Sequence, residues 1–535
     1  MTSADDLLVT TSYGPVRGRT VTSADRPGSG PADAVDIPVD VWKGIPYAAP
    51  PVGDLRWRRA RPPVAHTEVL EASDYGPASP QERNPAIRLG EGVRFDEDCL
   101  VLNVWAPHRS ALATPAALPV LVWLHGGAYV FGSASQPLYD ASRMVAANDV
   151  VVVTVNYRVG ALGFADLRSA AAGSDAVPDD RFESNAALSD VLLALRWVRD
   201  EIGAFGGDAA NVTLFGESAG GGLVTTLLTV PAAAGLFDRA IAQSSPATSL
   251  YDSERAAVVG DRLIRALGVE GRPELLEAVG TDALIHATMT VFTDVPAEVP
   301  GTIAFAPVVD GDLVPEHPLD AFRAGRSHPV PLMIGTNKDE AALFKWMKSP
   351  LMPITPGDIE RMFAGMAAEY PDVTLPERAT VAAAYAGLRP KVAGLGVARD
   401  IAFRMPTVWL AEAHSRVAPV YLYRFDWAPM MLRALRIGAT HATELPYVWG
   451  NLVAGPRDIT FKLGGRRVGE QLSVRTQRRW IAFARNGDPS YGEQPWPSFT
   501  TDERSTLVID SDDRIVDDLD AELRSTWGDD VLSFR

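Results

Sequence analysis

The sequence is poor in cysteine, in basic residues relative to acidic ones, and in long apolar runs. Its 535 residues include one cysteine, which cannot close an internal disulfide. That excludes a small secreted scaffold held together by cross-links. Fifty Lys and Arg stand against 67 Asp and Glu, a net charge of −17. A nucleic-acid partner needs a basic surface, so this balance argues against one and reads as plain solubility. No run approaches the ~18 apolar residues that span a bilayer, so no membrane partner is expected. The first eleven residues carry Asp5 and Asp6 and lack a basic stretch followed by an apolar one. They do not read as a signal peptide, and the cytoplasm is the expected residence. Also missing are H-E-x-x-H, C-x-x-C, a Walker A loop and a G-x-G-x-x-G in Rossmann context, so no metal or organic cofactor is expected.

What is present is a hydrophobic fraction of 47%, ordinary for a globular chain. Disorder is thereby excluded as the main state. At roughly 150 residues per domain the length suggests three or four domains. No repeat or low-complexity linker divides the chain, however, and segments 26–34 and 111–118 are short enough for loops. Apolar β-branched runs at 120–124 and 149–156 read as buried strands. A helix is expected over 185–204, where Leu188, Val191, Leu192, Leu195, Val198 and Ile202 recur at helical spacing. A strand at 212–215 and a helix at 219–229 follow, then strands at 239–243, 331–335 and 420–425 and a helix at 470–485. This alternation predicts an α/β fold with a mainly parallel sheet.

The sharpest chemical signal is Gly216-Glu217-Ser218-Ala219-Gly220, a G-x-S-x-G between a predicted strand and a predicted helix. A turn this tight strains its central residue and needs small neighbours, and it holds the serine hydroxyl out at a helix N-terminus. The plain alternative is a glycine-rich turn carrying a solvated serine. A serine hydroxyl needs a base, and the base an orienting acid, which strand-elbow hydrolases supply in the order Ser, Asp/Glu, His. Of the eight histidines, His414 falls in a helical stretch and suits packing, whereas His441 lies in a predicted loop. Asn337-Lys338-Asp339-Glu340 ends a predicted strand and offers the acid, and spacing alone does not choose between Asp339 and Glu340. His125-Gly126-Gly127-Ala128 ends another strand. Its small residues leave backbone N–H groups free to face a substrate oxygen, as in an oxyanion hole. A simple β-turn is the alternative there. His125 precedes the serine and suits a structural flank.

At these residues the chain resembles the type-B carboxylesterase/lipase family, the cholinesterase-like branch of the α/β-hydrolases, and within it bacterial p-nitrobenzyl-esterase-like members. The blocks that carry the resemblance include Trp42-Lys-Gly-Ile-Pro-Tyr, Glu97-Asp-Cys-Leu, Val155-Asn-Tyr-Arg, the run from Phe205 to Gly220, Asn337-Lys-Asp-Glu and His441-Ala-Thr-Glu-Leu-Pro. They occur in family order. The resemblance implies an α/β-hydrolase fold: a large, mostly parallel central sheet flanked by helices, with helical insertions around an active-site gorge. It makes residues 1–535 one domain. It implies Ser218 as nucleophile, His441 as base and Glu340 as acid, with the N–H groups of Gly127, Ala128 and Ala219 as oxyanion donors. Glu217 and Ser244 match positions beside the histidine that help fix it. Ala128 and Ala341 stand where the family often has glycine. Cys99 matches a position that is disulfide-bonded in secreted relatives, but its partner position reads Ser79, so that bridge is absent.

The reaction so implied is hydrolysis of a small-molecule carboxylic ester through an acyl-enzyme on Ser218. A carbamate or amide hydrolase or an acyltransferase with the same triad is the alternative, and a non-catalytic adhesion or scaffold protein a remote one. Segments 82–94, 284–300, 346–387 and 428–437 match the family weakly and are expected around the gorge. Met430, Met431, Leu432 and Leu435 are candidate pocket residues, with ordinary helix packing as the alternative. An apolar gorge would favour short- to medium-chain or aryl esters, and a monomer or weak homo-oligomer is expected.

Overall fold

Val151–Val155 reads Val-Val-Val-Thr-Val and is buried at every position, the pattern of a strand covered on both faces. The computed structural model describes residues 7–22, 37–108, 117–171, 178, 180–369, 375–376, 378–385, 390–453 and 458–534. It places that strand inside an eleven-stranded sheet. Numbered in chain order, the strands of this sheet are β1 (Arg19–Val21), β2 (Val39–Pro46), β3 (Val101–Pro107), β4 (Leu118–Leu124), β5 (Val151–Val155), β6 (Gly207–Glu217), β7 (Arg239–Gln243), β8 (Leu332–Asn337), β9 (Val420–Phe425), β10 (Thr506–Ile509) and β11 (Arg514–Val516). Their spatial order is β11-β10-β9-β8-β7-β6-β4-β5-β3-β2-β1. Strands β4 to β10 pair in parallel. The edges turn antiparallel, through β1, β2 and β3 on one side and β11 on the other.

Helices cover both faces. Those that matter below are α1 (Ala186–Glu201), α2 (Ala219–Leu227), α3 (Ala341–Trp346), α4 (Pro356–Glu369), α5 (Met430–Ala434) and α6 (Arg466–Asn486). Strand periodicity sends alternate side chains to opposite layers. Val120, Val122 and Leu124 of β4 join one core with Leu188, Val191, Leu195 and Val198 of α1. Leu121 and Trp123 join the other, with Leu472, Trp480 and Ile481 of α6. No helix among the described residues is long and apolar enough to cross a membrane.

The observed elements differ from the expected ones mainly at their ends. The helix expected to reach 204 stops at Glu201 and tightens into a 3₁₀ turn, Ile202–Phe205, closed by Gly206 at φ +86°. Strand β6 is much longer than 212–215 and runs from Gly207 up to the candidate nucleophile. Segments 26–34 and 111–116 lie outside the described residues. Cys99 is buried and free, with Ser79 in hydrogen-bond contact.

One buried ion pair ties the sheet to α1. Arg158, just past β5, meets Asp190 of α1 at 2.6 Å, and both side chains are essentially inaccessible. Removing one partner strands the other charge in the interior, so Asp190→Ala is expected to cost about 3–5 kcal/mol of unfolding free energy. The solvent-facing pair Arg466–Glu470 on α6 should contribute no more than about 0.5 kcal/mol. Urea unfolding midpoints of Asp190→Ala and Glu470→Ala measure the contrast.

Candidate active site

Strand β6 ends at Glu217 and α2 begins at Ala219, so one residue makes the whole turn. Ser218 takes φ 56° and ψ −124° to do so, a backbone conformation that side chains normally disfavour. Its N–H donates to Gln243 O of β7 at 2.9 Å, and its carbonyl accepts Gly222 N–H at 2.8 Å. The flanking glycines are steric necessities. A Cβ on Gly220 would sit 2.1 Å from Leu124 O, and one on Gly216 would sit 2.6 Å from the Gly220 carbonyl.

His441 reaches this end of the sheet from the loop after α5. Its Nδ1 lies 2.6 Å from Glu340 Oε2. The other carboxylate oxygen, Oε1, accepts from Ser244 Oγ and from Asn337 N–H, each at 2.6 Å. Glu340 is fully buried at the start of α3. The neighbouring Asp339 turns away, and its Oδ2 accepts from Ala439 N–H at 3.1 Å. Phe344 and Phe403 pack on the imidazole with ring centres 5.0 and 4.8 Å away. Nε2 lies 3.1 Å from Glu217 Oε1, but neither atom has a partner at hydrogen-bonding geometry, and no bond joins Nε2 to Ser218. Catalytic hydrogen bonds of this kind often tighten only when substrate is bound.

A third carboxylate, Glu444, is buried three residues after His441. It accepts from Gln243 Nε2 at 3.0 Å and from Asn337 Nδ2. Burial pushes the Glu217 carboxyl up to about 8, with Glu444 and Glu340 adding to the rise and His441 opposing it. Burial also raises Glu444, against the hydrogen bond from Asn337. For His441 burial favours the neutral ring, but Glu217 and Glu340 together outweigh it and raise the imidazole to about 9. Glu444, Asn337 and Gln243 had no assigned place in the sequence reading. Asn337 opens the Asn337-Lys-Asp-Glu block, Gln243 ends an expected strand and Glu444 lies within the block that begins at His441, but no local pattern marks their roles here.

The other sequence candidates are distributed as follows. Gly127 at φ +126° and Ala128 at φ 54° curl the chain after β4, and Gly127 O accepts from Phe131 N–H at 2.9 Å. The N–H groups of Gly127, Ala128 and Ala219 meet no acceptor among the described residues. Ala128 and Ala219 line, with Ser218, a cavity of about 80 Å³. His125 is buried against Tyr157, 4.3 Å between ring centres, and desolvation lowers it to about 4. His414 is buried between Ser327 Oγ and Val330 O.

Met430, Met431 and Leu435 do not line the cavity. Helix α5 lies on the surface, and Met430 and Leu435 are 60% and 47% exposed. The apolar wall comes instead from Met362 and Met366 on α4, from Phe344 and Phe403, and from the segment Leu532, Ser533 and Phe534. Of the four weakly matching segments, only 346–387 contributes to it.

The model of the carboxylesterase family matches residues 5–527. The chain belongs to the carboxylesterase family. It is 37% identical over 525 residues to a para-nitrobenzyl esterase of Bacillus subtilis (strain 168), covering 97% of each chain. It is 33% identical to a phenmedipham hydrolase of Pseudarthrobacter oxydans, covering 88% of this chain and 91% of that one. A solved PNB esterase superposes with a TM-score of 0.80 at 36% identity, over 98% of this chain and 100% of that one. The α/β-hydrolase fold and carboxylic ester hydrolysis follow from this membership. In this esterase the imidazole of His441 should hold its proton until about pH 9. Replacing Glu217 by Gln removes an anion that favours the imidazolium, so the midpoint should move to lower pH. NMR titration of the ring measures it, and an unmoved midpoint contradicts the assignment of the shift to Glu217.

Proposed function

We propose that this carboxylesterase works through an acyl-enzyme on Ser218, with His441 as general base and Glu340 as its orienting acid. The observation that carries the reading is the buried 2.6 Å pair of His441 Nδ1 and Glu340 Oε2 beside a serine held in a strained turn at a helix N-terminus. In the neutral ring, which forms as the pH rises toward about 9, Nδ1–H donates to Glu340 and leaves Nε2 to accept the proton from Ser218 Oγ as it attacks the ester carbonyl. The N–H groups of Gly127, Ala128 and Ala219 bind the oxyanion of the tetrahedral intermediate. Nε2–H then protonates the departing alcohol. Water, deprotonated by His441, repeats the sequence on the acyl-enzyme and restores the serine. Ser244 holds Glu340 in place, and Glu217 favours the imidazolium that each half-reaction forms.

Trp42 lies in β2, the run to Gly220 forms β6 and the start of α2, and Asn337 ends β8 beside Glu340 and His441, which supports reading residues 1–535 as a single catalytic domain. The mostly apolar wall of the cavity supports short- to medium-chain or aryl esters as substrates.

Ser218→Ala should lower kcat by several orders of magnitude, on the order of the ~10⁶ lost when such a nucleophile is removed. Turnover within tenfold of the parent would contradict the acyl-enzyme. Across p-nitrophenyl esters from acetate to decanoate, kcat/KM should peak at a short or medium chain and fall by decanoate. A rising trend to decanoate would contradict this substrate reading.

A further inference from the structure

The helices Pro390–Arg399 and Met405–His414 are joined without a break by Asp400–Arg404, which is wound as a π-helix. Met405 N–H donates to Asp400 O to close the wider turn. Such turns inside α-helices are rare and occur frequently at functional sites. Here Ile401, Ala402 and Phe403 line the cavity at Ser218. The Phe403 ring packs on the His441 imidazole, 4.8 Å between centres. Phe344 covers the same imidazole from α3, and the two phenyl rings lie 6.1 Å apart.

Asp400 opens the π turn and is fully buried, but it does not line the cavity. A carboxylate so buried must be paired to stay ionised, and its partners show what it holds. Oδ1 accepts from Arg399 Nε at 2.6 Å, and Oδ2 accepts from Arg399 Nη2 at 3.0 Å and from Tyr385 Oη. Tyr385 Oη in turn accepts from Trp527 Nε1 at 3.1 Å. Arg399 Nη1 donates to Lys338 O at 3.4 Å, two residues before Glu340. One carboxylate is therefore tied, directly or through Arg399, to both segments that meet at His441. These are the turn that carries Phe403 and the link that carries Glu340.

We propose that Asp400 is a positioning residue for ester hydrolysis. It holds Phe403 against His441 through the π turn and, through Arg399, steadies the link to Glu340. Nε2 of His441 has to face Ser218 Oγ while Nδ1 keeps its bond to Glu340, and the packed Phe403 ring restricts the imidazole to that orientation. A loosened imidazole leaves the substrate wall in place but is less often in line with the serine. Misplacements of about 1 Å cost up to about 10²-fold in rate. Tyr385 supports the same carboxylate from the other side. The proposal rests on the reading of His441 as general base.

Asp400→Asn and Tyr385→Phe, made in the full chain, test it. In Asp400→Asn, kcat/KM should fall about tenfold or more, by the same factor for p-nitrophenyl acetate and butanoate. Tyr385→Phe removes one bond to the carboxylate and should cost a smaller factor. Phe403→Leu should also slow the enzyme, and adding Asp400→Asn to it should cost little more, because both changes act through one contact. The ring-proton resonances of His441, which the Phe403 ring shifts, should move in both Asp400→Asn and Tyr385→Phe. A purely structural role would lower the melting temperature and leave those resonances, and the rate per folded molecule, where they were. Parent-like rates in the folded variants, losses that multiply fully with that of Phe403→Leu, or unmoved His441 resonances each overturn the proposal. Should Asp400→Asn not fold, Tyr385→Phe, which keeps the carboxylate and its arginine, carries the same measurements. Failure of the underlying reading is separately visible, as turnover within tenfold of the parent in His441→Gln.

Discussion

Where β6 runs into α2, the backbone passes so close to the end of β4 that Gly216 and Gly220 have no room for a Cβ. That close approach brings the rest of the site together. It sets the serine in its unusual conformation, aligns the start of α2 with the sheet edge and brings the 126–128 loop against Glu217 and Ser218. A Cβ on Gly126 would meet Glu217 Oε2 at 2.7 Å and Ser218 Cβ at 3.0 Å. In an isolated helix, exchanging glycine for alanine gains about 1 kcal/mol. At Gly220 the clash with Leu124 O reverses the sign. The three glycines are thus steric conditions for bringing the nucleophile and the free amides into one place.

The second constraint is electrostatic. One imidazole, His441, is buried among Glu217, Glu340 and Glu444. Hydrogen bonds from Ser244, Asn337 and Gln243 offset part of the cost of burying those carboxylates. The surplus of negative charge favours the protonated ring, the state an acyl-transfer base must reach in its transition state. Glutamate is the acid here for a geometric reason as well. Glu340 reaches His441 and Ser244 at once, whereas the carboxylate of Asp339 is taken up by the Ala439 amide that leads into the histidine loop.

Much of this was legible in the sequence because it depends on local rules. Strand-length β-branched runs, the helical spacing of Leu188 to Ile202, and small residues around Ser218 each constrain a short piece of backbone. The parallel central strands and the strand-turn-helix at Ser218 accord with those local readings, whereas local spacing left Glu340 and Asp339 open and said nothing of the sheet order. Misplaced features were those set by distant packing. The apolar residues Met430 and Leu435 look like pocket lining in sequence, yet nothing in their short helix says which face meets protein and which meets solvent. Met362, Met366 and Phe534 reach the cavity from segments far away in the chain, and no local pattern marks them. The same holds for Glu444, whose burial follows from contacts with Gln243 and Asn337, 201 and 107 residues away.

The central claim is that the strained serine of the β6–α2 turn is the atom that carries the acyl group. Labelling with an organophosphate, followed by proteolysis and mass mapping, tests it most directly, because the reagent marks whichever hydroxyl the site activates. The account predicts a single adduct on the peptide that contains Ser218, formed in step with loss of ester hydrolysis. An adduct on another residue, or full inactivation with Ser218 unmodified, would contradict it.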